Sequence, residues 1–259
     1  MPRFAANLSL MFTEWPFLDR FAAAADAGFS AVEYLFPYDH PAAAIAARLA
    51  RHGLTQALFN LPPGDWAAGE RGLAALPGRL TEIGRGVDLA LSYAAATGAR
   101  RLHLMAGIAD RADPAAVSAY RAAVGHVAER LAAAGIELLL EPINRRSMPG
   151  YFLDDFPYAE ALIADLGLPN LRLQFDIFHR QILHGDVTAA LRRLLPVIGH
   201  IQVAGVPERH EPDSGELRDG HIFRLLDDIG YGGFVGCEYV PRAGTLAGLG
   251  WFAAHLRAR

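Results

Sequence analysis

The sequence predicts an α/β protein built as a single-domain (β/α)8 TIM barrel over residues 1–259. Three observations carry that prediction. Strand-length apolar runs alternate with alanine-rich stretches of helical period, eight times over. No linker or low-complexity segment interrupts the alternation. No GxGxxG follows the first strand, which disfavours an open dinucleotide-binding sheet. The length of 259 residues suits such a barrel, which takes about 250 as one domain.

The strands are read at 3–10, 31–36, 54–60, 101–107, 136–143, 171–177, 200–205 and 234–240. Several are continuously apolar, as parallel strands buried on both faces should be. Thr13 is read as the cap of the first helix, with Pro16 in its first turn and Gly28 at its end. Phe17 and Phe21, four apart, share the buried face of that helix. Asp113 and Pro114 form a cap followed by proline at the first helical position, and Gly135 closes that helix. The other helices are read near 41–52, 80–97, 155–166, 186–195, 217–229 and 245–258. After the third strand, residues 61–79 form a long Gly- and Pro-rich loop, a candidate active-site lid.

Composition removes several chemistries. The chain has no lysine: all 24 basic side chains are arginine. Schiff-base and pyridoxal chemistry need an amine that can lose its proton, which arginine cannot supply. A GxxxxGK[ST] phosphate loop is excluded for the same reason. One cysteine, Cys237, excludes an intramolecular disulfide and a multi-cysteine zinc site, and suits a reducing compartment. A net charge of −4 argues against nucleic acid as a partner. No apolar run reaches about 18 residues, and the first residues lack a signal-peptide pattern. The expectation is a cytoplasmic protein with no membrane partner.

Chemistry concentrates at the strand ends, where barrels of this kind place their sites. The fifth strand ends in Glu141 and the sixth in Asp176; the seventh carries Gln202 and the eighth Glu238. Leu139 and Glu141 share one side of their strand, so a core Leu139 turns Glu141 inward. Three carboxylates and an amide at one rim repel unless a cation joins them. Oxygen donors suit one hard divalent ion, Mg²⁺ or Mn²⁺.

With these residues in view, the chain resembles the hydroxypyruvate isomerase family of xylose isomerase-like barrels. The matching segments are FAANLS (4–9), VEYLFPY (32–38), NLPPGDWAAGERG (60–72), LLLEPIN (138–144), LQFDIFH (173–179), GHIQVAG (199–205), RHEP with GE (209–216) and GCEY (236–239). The resemblance implies that Glu141, Asp176, Gln202 and Glu238 hold the metal. It implies that Glu141 and Glu238 are the catalytic acid/base pair and that His179 and Arg209 contact substrate oxygens. The implied reaction converts hydroxypyruvate to tartronate semialdehyde by enediolate proton transfer. Two alternatives use the same site: a 2-oxo-tetronate isomerase and a ketose 3-epimerase. RHEPD and the first fourteen residues resemble the 2-oxo-tetronate branch, LLLEPIN the hydroxypyruvate branch.

The partner is therefore a small hydroxy-oxo acid. Its carboxylate needs a cation, and the planar fork of Arg209 fits best, with Arg71 second. Phe36, Tyr38 and Trp66 are read as pocket or lid, Trp66 as the residue that shields the enediolate from water. His103 and Met105 are read as core or pocket wall. Asn7, Glu33 and Asn60 line the early strands, and Glu211 is a candidate for orienting Arg209 or His179. The resemblance also allows a homo-oligomer, for which no heptad or apolar stripe in this chain gives a sign.

Overall fold

A computed structural model describes residues 2–256. The strands are β1 (Arg3–Asn7), β2 (Ala31–Tyr34), β3 (Thr55–Asn60), β4 (Arg101–His103), β5 (Glu137–Leu140), β6 (Leu171–Asp176), β7 (Ile198–Val203) and β8 (Phe234–Cys237). They run parallel in chain order, and β8 returns to β1 to close the ring. The helices are α1 (Arg20–Asp26), α2 (Ala42–His52), α3 (Leu80–Thr97), α4 (Pro114–Ala132), α5 (Phe156–Leu166), α6 (Ile177–His184), α7 (Val187–Leu194), α8 (Asp219–Asp228) and α9 (Gly250–Leu256). No helix among the described residues is long and apolar enough to cross a membrane.

The cap read from sequence at α4 forms as expected, and α5 has one of the same kind. Asp113 accepts from the amide of Ala115 at 2.9 Å, and Asp155 from that of Tyr158 at 3.0 Å. The first helix is a correction. Thr13 does not cap it: Trp15 N–H bonds Phe12 O, and a 3-10 turn at Phe17–Asp19 precedes α1. Strands also stop earlier than their apolar runs. β1 ends at Asn7, where the chain turns, and β4 ends at His103. The run 171–177 does not fade into a loop. Asp176 accepts from Phe178 N–H at 2.7 Å and caps α6, a helix absent from the sequence reading.

Alternation along the strands sorts side chains between the helices and the barrel lumen. Leu138 and Leu140 of β5 join the main core against the helices, and Leu139 does not. Ala5, Ala31 and Ala57 with Phe234 fill one end of the lumen. Above them lies a polar layer. Glu33 on β2 meets His200 Nε2 at 2.7 Å and Gln202 Nε2 at 2.8 Å on β7. Those strands are not neighbours, so both bonds cross the lumen. Asn7 Nδ2 donates to the same carboxylate at 3.1 Å, and Gln174 Nε2 donates to Gln202 Oε1 at 2.6 Å. Gly236 makes room for Glu33: a Cβ there would lie 2.2 Å from its Oε2.

The long loop 61–79 is tied down at both ends. Leu61 N–H bonds His103 O, and Ala75 N–H bonds Ala106 O at 2.7 Å. Gly72 pairs with Ala106, with φ +108°, and a Cβ there would meet Met105 O at 2.3 Å. Within the loop, Glu70 accepts from Asp65 N–H at 2.6 Å and pairs with Arg79 at 2.6 Å.

Candidate active site

Above the polar layer, at the C-terminal ends of the strands, lies a cavity of about 170 Å³. Its wall includes Phe36, Trp66, Met105, Ile143 and Met148, and its polar lining includes Asn60, His103, Glu141, His179, Arg209 and Glu238. The titratable groups form an arc that follows the strand order. His103 Nδ1 lies 3.6 Å from Glu141 Oε2, and Glu141 Oε1 lies 3.8 Å from His179 Nε2. His179 Nε2 lies 3.6 Å from Asp176 Oδ2. Arg209 Nη2 is 3.8 Å from Asp176 Oδ2 and 3.0 Å from Glu238 Oε2.

Most of these separations exceed hydrogen-bond length. Glu141 Oε1 and Asp176 Oδ2 are buried and lack a hydrogen-bond partner, whereas Glu238 Oε2 is paired with Arg209. Buried carboxylate oxygens rarely go unmatched. Their convergence fits a bound cation. Among the described residues, Glu141 and Asp176 bring carboxylate oxygens within 4.8 Å of each other, beside His179. Gln202 lies lower in the lumen, with its oxygen accepting from Gln174 and its NH2 donating to Glu33.

Burial sets the proton affinities. It pushes the Glu141 carboxyl well above its ordinary range, reinforced by the charges of Glu238 and Asp176. It raises Glu238 to about 8, with Arg209 opposing, and it raises Asp176. It lowers His103 to about 3 and His179 well below 6.5, so both imidazoles are neutral. Cys237 is buried in the main core and its thiol is pushed well up, so it is no nucleophile.

The tautomer of His179 follows from its neighbours. Ser147 N–H donates to Asn144 Oδ1 at 2.8 Å, which turns the Asn144 NH2 toward His179. Asn144 Nδ2 lies 2.6 Å from His179 Nδ1, and the Asn144 backbone N–H donates to the same atom at 3.2 Å. Nδ1 is therefore the acceptor and Nε2 carries the proton. That proton faces Glu141 and Asp176. His179 thus presents a donor toward the cavity. Asn144 went unremarked in the sequence because its partner is 35 residues away.

Arg209 is held by its backbone. It sits at φ +61°, with its N–H on Gly205 O at 2.8 Å and its carbonyl accepting from Val240 N–H at 2.8 Å. Its guanidinium lies 5.1 Å over the Phe178 ring. Glu211 does not orient it: that carboxylate accepts from Arg242 N–H at 3.0 Å. Trp66 packs on Phe36 at 5.2 Å and lines the cavity. Arg71 and Tyr38 stand behind the wall. Arg71 stacks 4.0 Å over Trp66 and bonds the carbonyls of Trp66 and Glu70. Tyr38 donates to Asn60 O at 2.7 Å.

Comparison with known proteins places these residues in context. The sequence profile of xylose isomerase-like TIM barrels matches residues 21–255. The chain is 56% identical to a 2-oxo-tetronate isomerase of Cupriavidus necator over 260 residues, covering 99% of each. It is 41% identical to the hydroxypyruvate isomerase of Escherichia coli K12, covering 97% of this chain and 98% of that one. Among solved structures, a Brucella melitensis protein called a family 2 AP endonuclease superposes with a TM-score of 0.96 at 50% identity, covering 98% and 99%.

Proposed function

Because the chain belongs to the xylose isomerase-like TIM-barrel family, we propose that it is an aldose–ketose type isomerase of small hydroxy-oxo acids. Its substrates are hydroxypyruvate and the four-carbon 2-oxo-tetronate, the acids that the names of its relatives carry. One observation supports this reading above the rest: Glu141 and Glu238 line one buried cavity with a neutral imidazole and a guanidinium between them.

The reaction moves a proton from C3 to C2 and a hydroxyl proton from O3 to O2, so the carbonyl shifts by one carbon. Glu141, Asp176 and Glu238 would hold a divalent cation, with Mg²⁺ or Mn²⁺ suited to oxygen donors, and Gln202 would join them only on releasing Gln174 and Glu33. When bound, it supplies Lewis-acid polarisation of the substrate oxygens. Arg209 holds the substrate carboxylate through its planar fork. One glutamate takes the C3 proton and the other delivers a proton to C2. Burial raises the proton affinities of both carboxyls, against the lowering that a bound cation would bring, and an ordinary carboxylate is too weak a base. His179 donates from Nε2 to the enediolate oxygen where charge develops.

Glu141→Gln and Glu238→Gln should each lower kcat by at least about a thousandfold, with the fold intact by circular dichroism. Near-normal turnover in either variant would sink the two-glutamate scheme. Full chelation should abolish activity on both acids, and added Mg²⁺ or Mn²⁺ should restore it. Turnover that survives EDTA overturns the cation's part.

A further inference from the structure

The cavity has a second polar pole that the chemistry above does not use. It lies on β3 and β4, across the ring from the Arg209 and Glu238 side. Asn60 and His103 end these two adjacent strands and are partners in their register. Both line the cavity and both are more than nine-tenths buried. Neither ring nitrogen of His103 has a hydrogen-bond partner, and its closest carboxylate oxygen, at 3.6 Å, is out of reach. The Asn60 carbonyl is engaged by Tyr38, and Asn60 lines the cavity beside His103.

Unmatched polar groups in a buried wall are costly unless a ligand completes them. The ligand chemistry is legible from the donors and acceptors. A neutral imidazole and an amide each offer one face that donates and one that accepts. A hydroxyl, which also does both, satisfies them. A carboxylate accepts only, and would leave the acceptor faces of both groups unmatched.

We propose that Asn60 and His103 form the subsite for the terminal hydroxymethyl group of a four-carbon substrate, and so set a preference for 2-oxo-tetronate over hydroxypyruvate. This rests on the isomerase reading above. With the carboxylate on Arg209 and the C2 and C3 oxygens facing Glu141, Asp176 and His179, the chain crosses the cavity. Its fourth carbon then reaches the β3–β4 pole. Hydroxypyruvate ends one carbon short and leaves both groups unpaired.

The test compares kcat/KM for the two acids in wild type, His103→Leu, Asn60→Leu and His103→Gln, each checked for an unchanged melting transition. Wild type should favour the four-carbon acid by about tenfold or more. The ratio of the two values should fall about tenfold to a hundredfold in the leucine variants. His103→Gln, which keeps a donor and an acceptor, should recover part of it. A purely structural role would depress both acids by the same factor, and that result overturns the proposal, as does a wild type with no preference. The two positions are tested separately, so a misfolded variant at one leaves the other decisive. A wild type active on neither acid overturns the isomerase reading itself.

Discussion

Asn144 decides what His179 can do. Two of its groups face one imidazole nitrogen, and that fixes the proton on the other. Asn144→Leu removes the side-chain half of this arrangement. We expect kcat to fall about tenfold to a hundredfold, as when an orienting partner of a functional histidine is lost. Ring ¹⁵N shifts of His179 should change from a single Nε2–H tautomer to a mixture. An unchanged tautomer would refute the assignment. The acids at the strand ends could be read from sequence because the strand alternation that aims them also shows in hydrophobicity. Asn144 could not, because its role depends on Ser147 turning its amide. Glu33 was visible only as a pocket-lining residue, since its partners on β7 are 167 and 169 residues away.

At the scale of elements, α4 was readable because its cap is local: an aspartate and the amide two residues on. α6 was hidden because its cap is also the last residue of a strand, so an apolar run continues through the boundary. α8 carries a buried liability in its first turn. Both oxygens of Asp219 lack partners, and burial raises its carboxyl to about 7. A carboxyl near 3.9 in the unfolded chain thus binds its proton more tightly when folded. That contribution to stability is complete below about pH 4 and is lost as pH rises through about 7. Asp219→Asn cannot ionise. It should match wild type near pH 4 and exceed it at pH 8 by about 1 to 4 kcal/mol, read by denaturant melts. A difference that does not grow with pH would contradict the buried, unpaired state.

Taken whole, the molecule is a barrel whose mouth is roofed by a braced loop. Loop 61–79 was readable as an excursion from its Gly and Pro content, but its stiffness was not. Stiffness comes from Glu70 and Arg79, nine residues apart, and from a glycine pressed against the β4 extension. Trp66 is carried on that frame over the cavity. Trp66→Ala should increase incorporation of solvent deuterium into product, because water then reaches the enediolate before proton return. Equal incorporation would remove the shielding role.

The polar layer below the site has a kinetic consequence. Glu33, His200, Gln202 and Gln174 fill the lumen from side to side, with the alanine layer beneath. Among the described residues these layers close the lower lumen, so substrate and product share the doorway at the C-terminal ends of the strands. The two acids cannot occupy the cavity together, and each must leave before the other enters. Product should therefore inhibit in strict competition with substrate, and the direction of flux through this protein is set by whichever step removes product fastest.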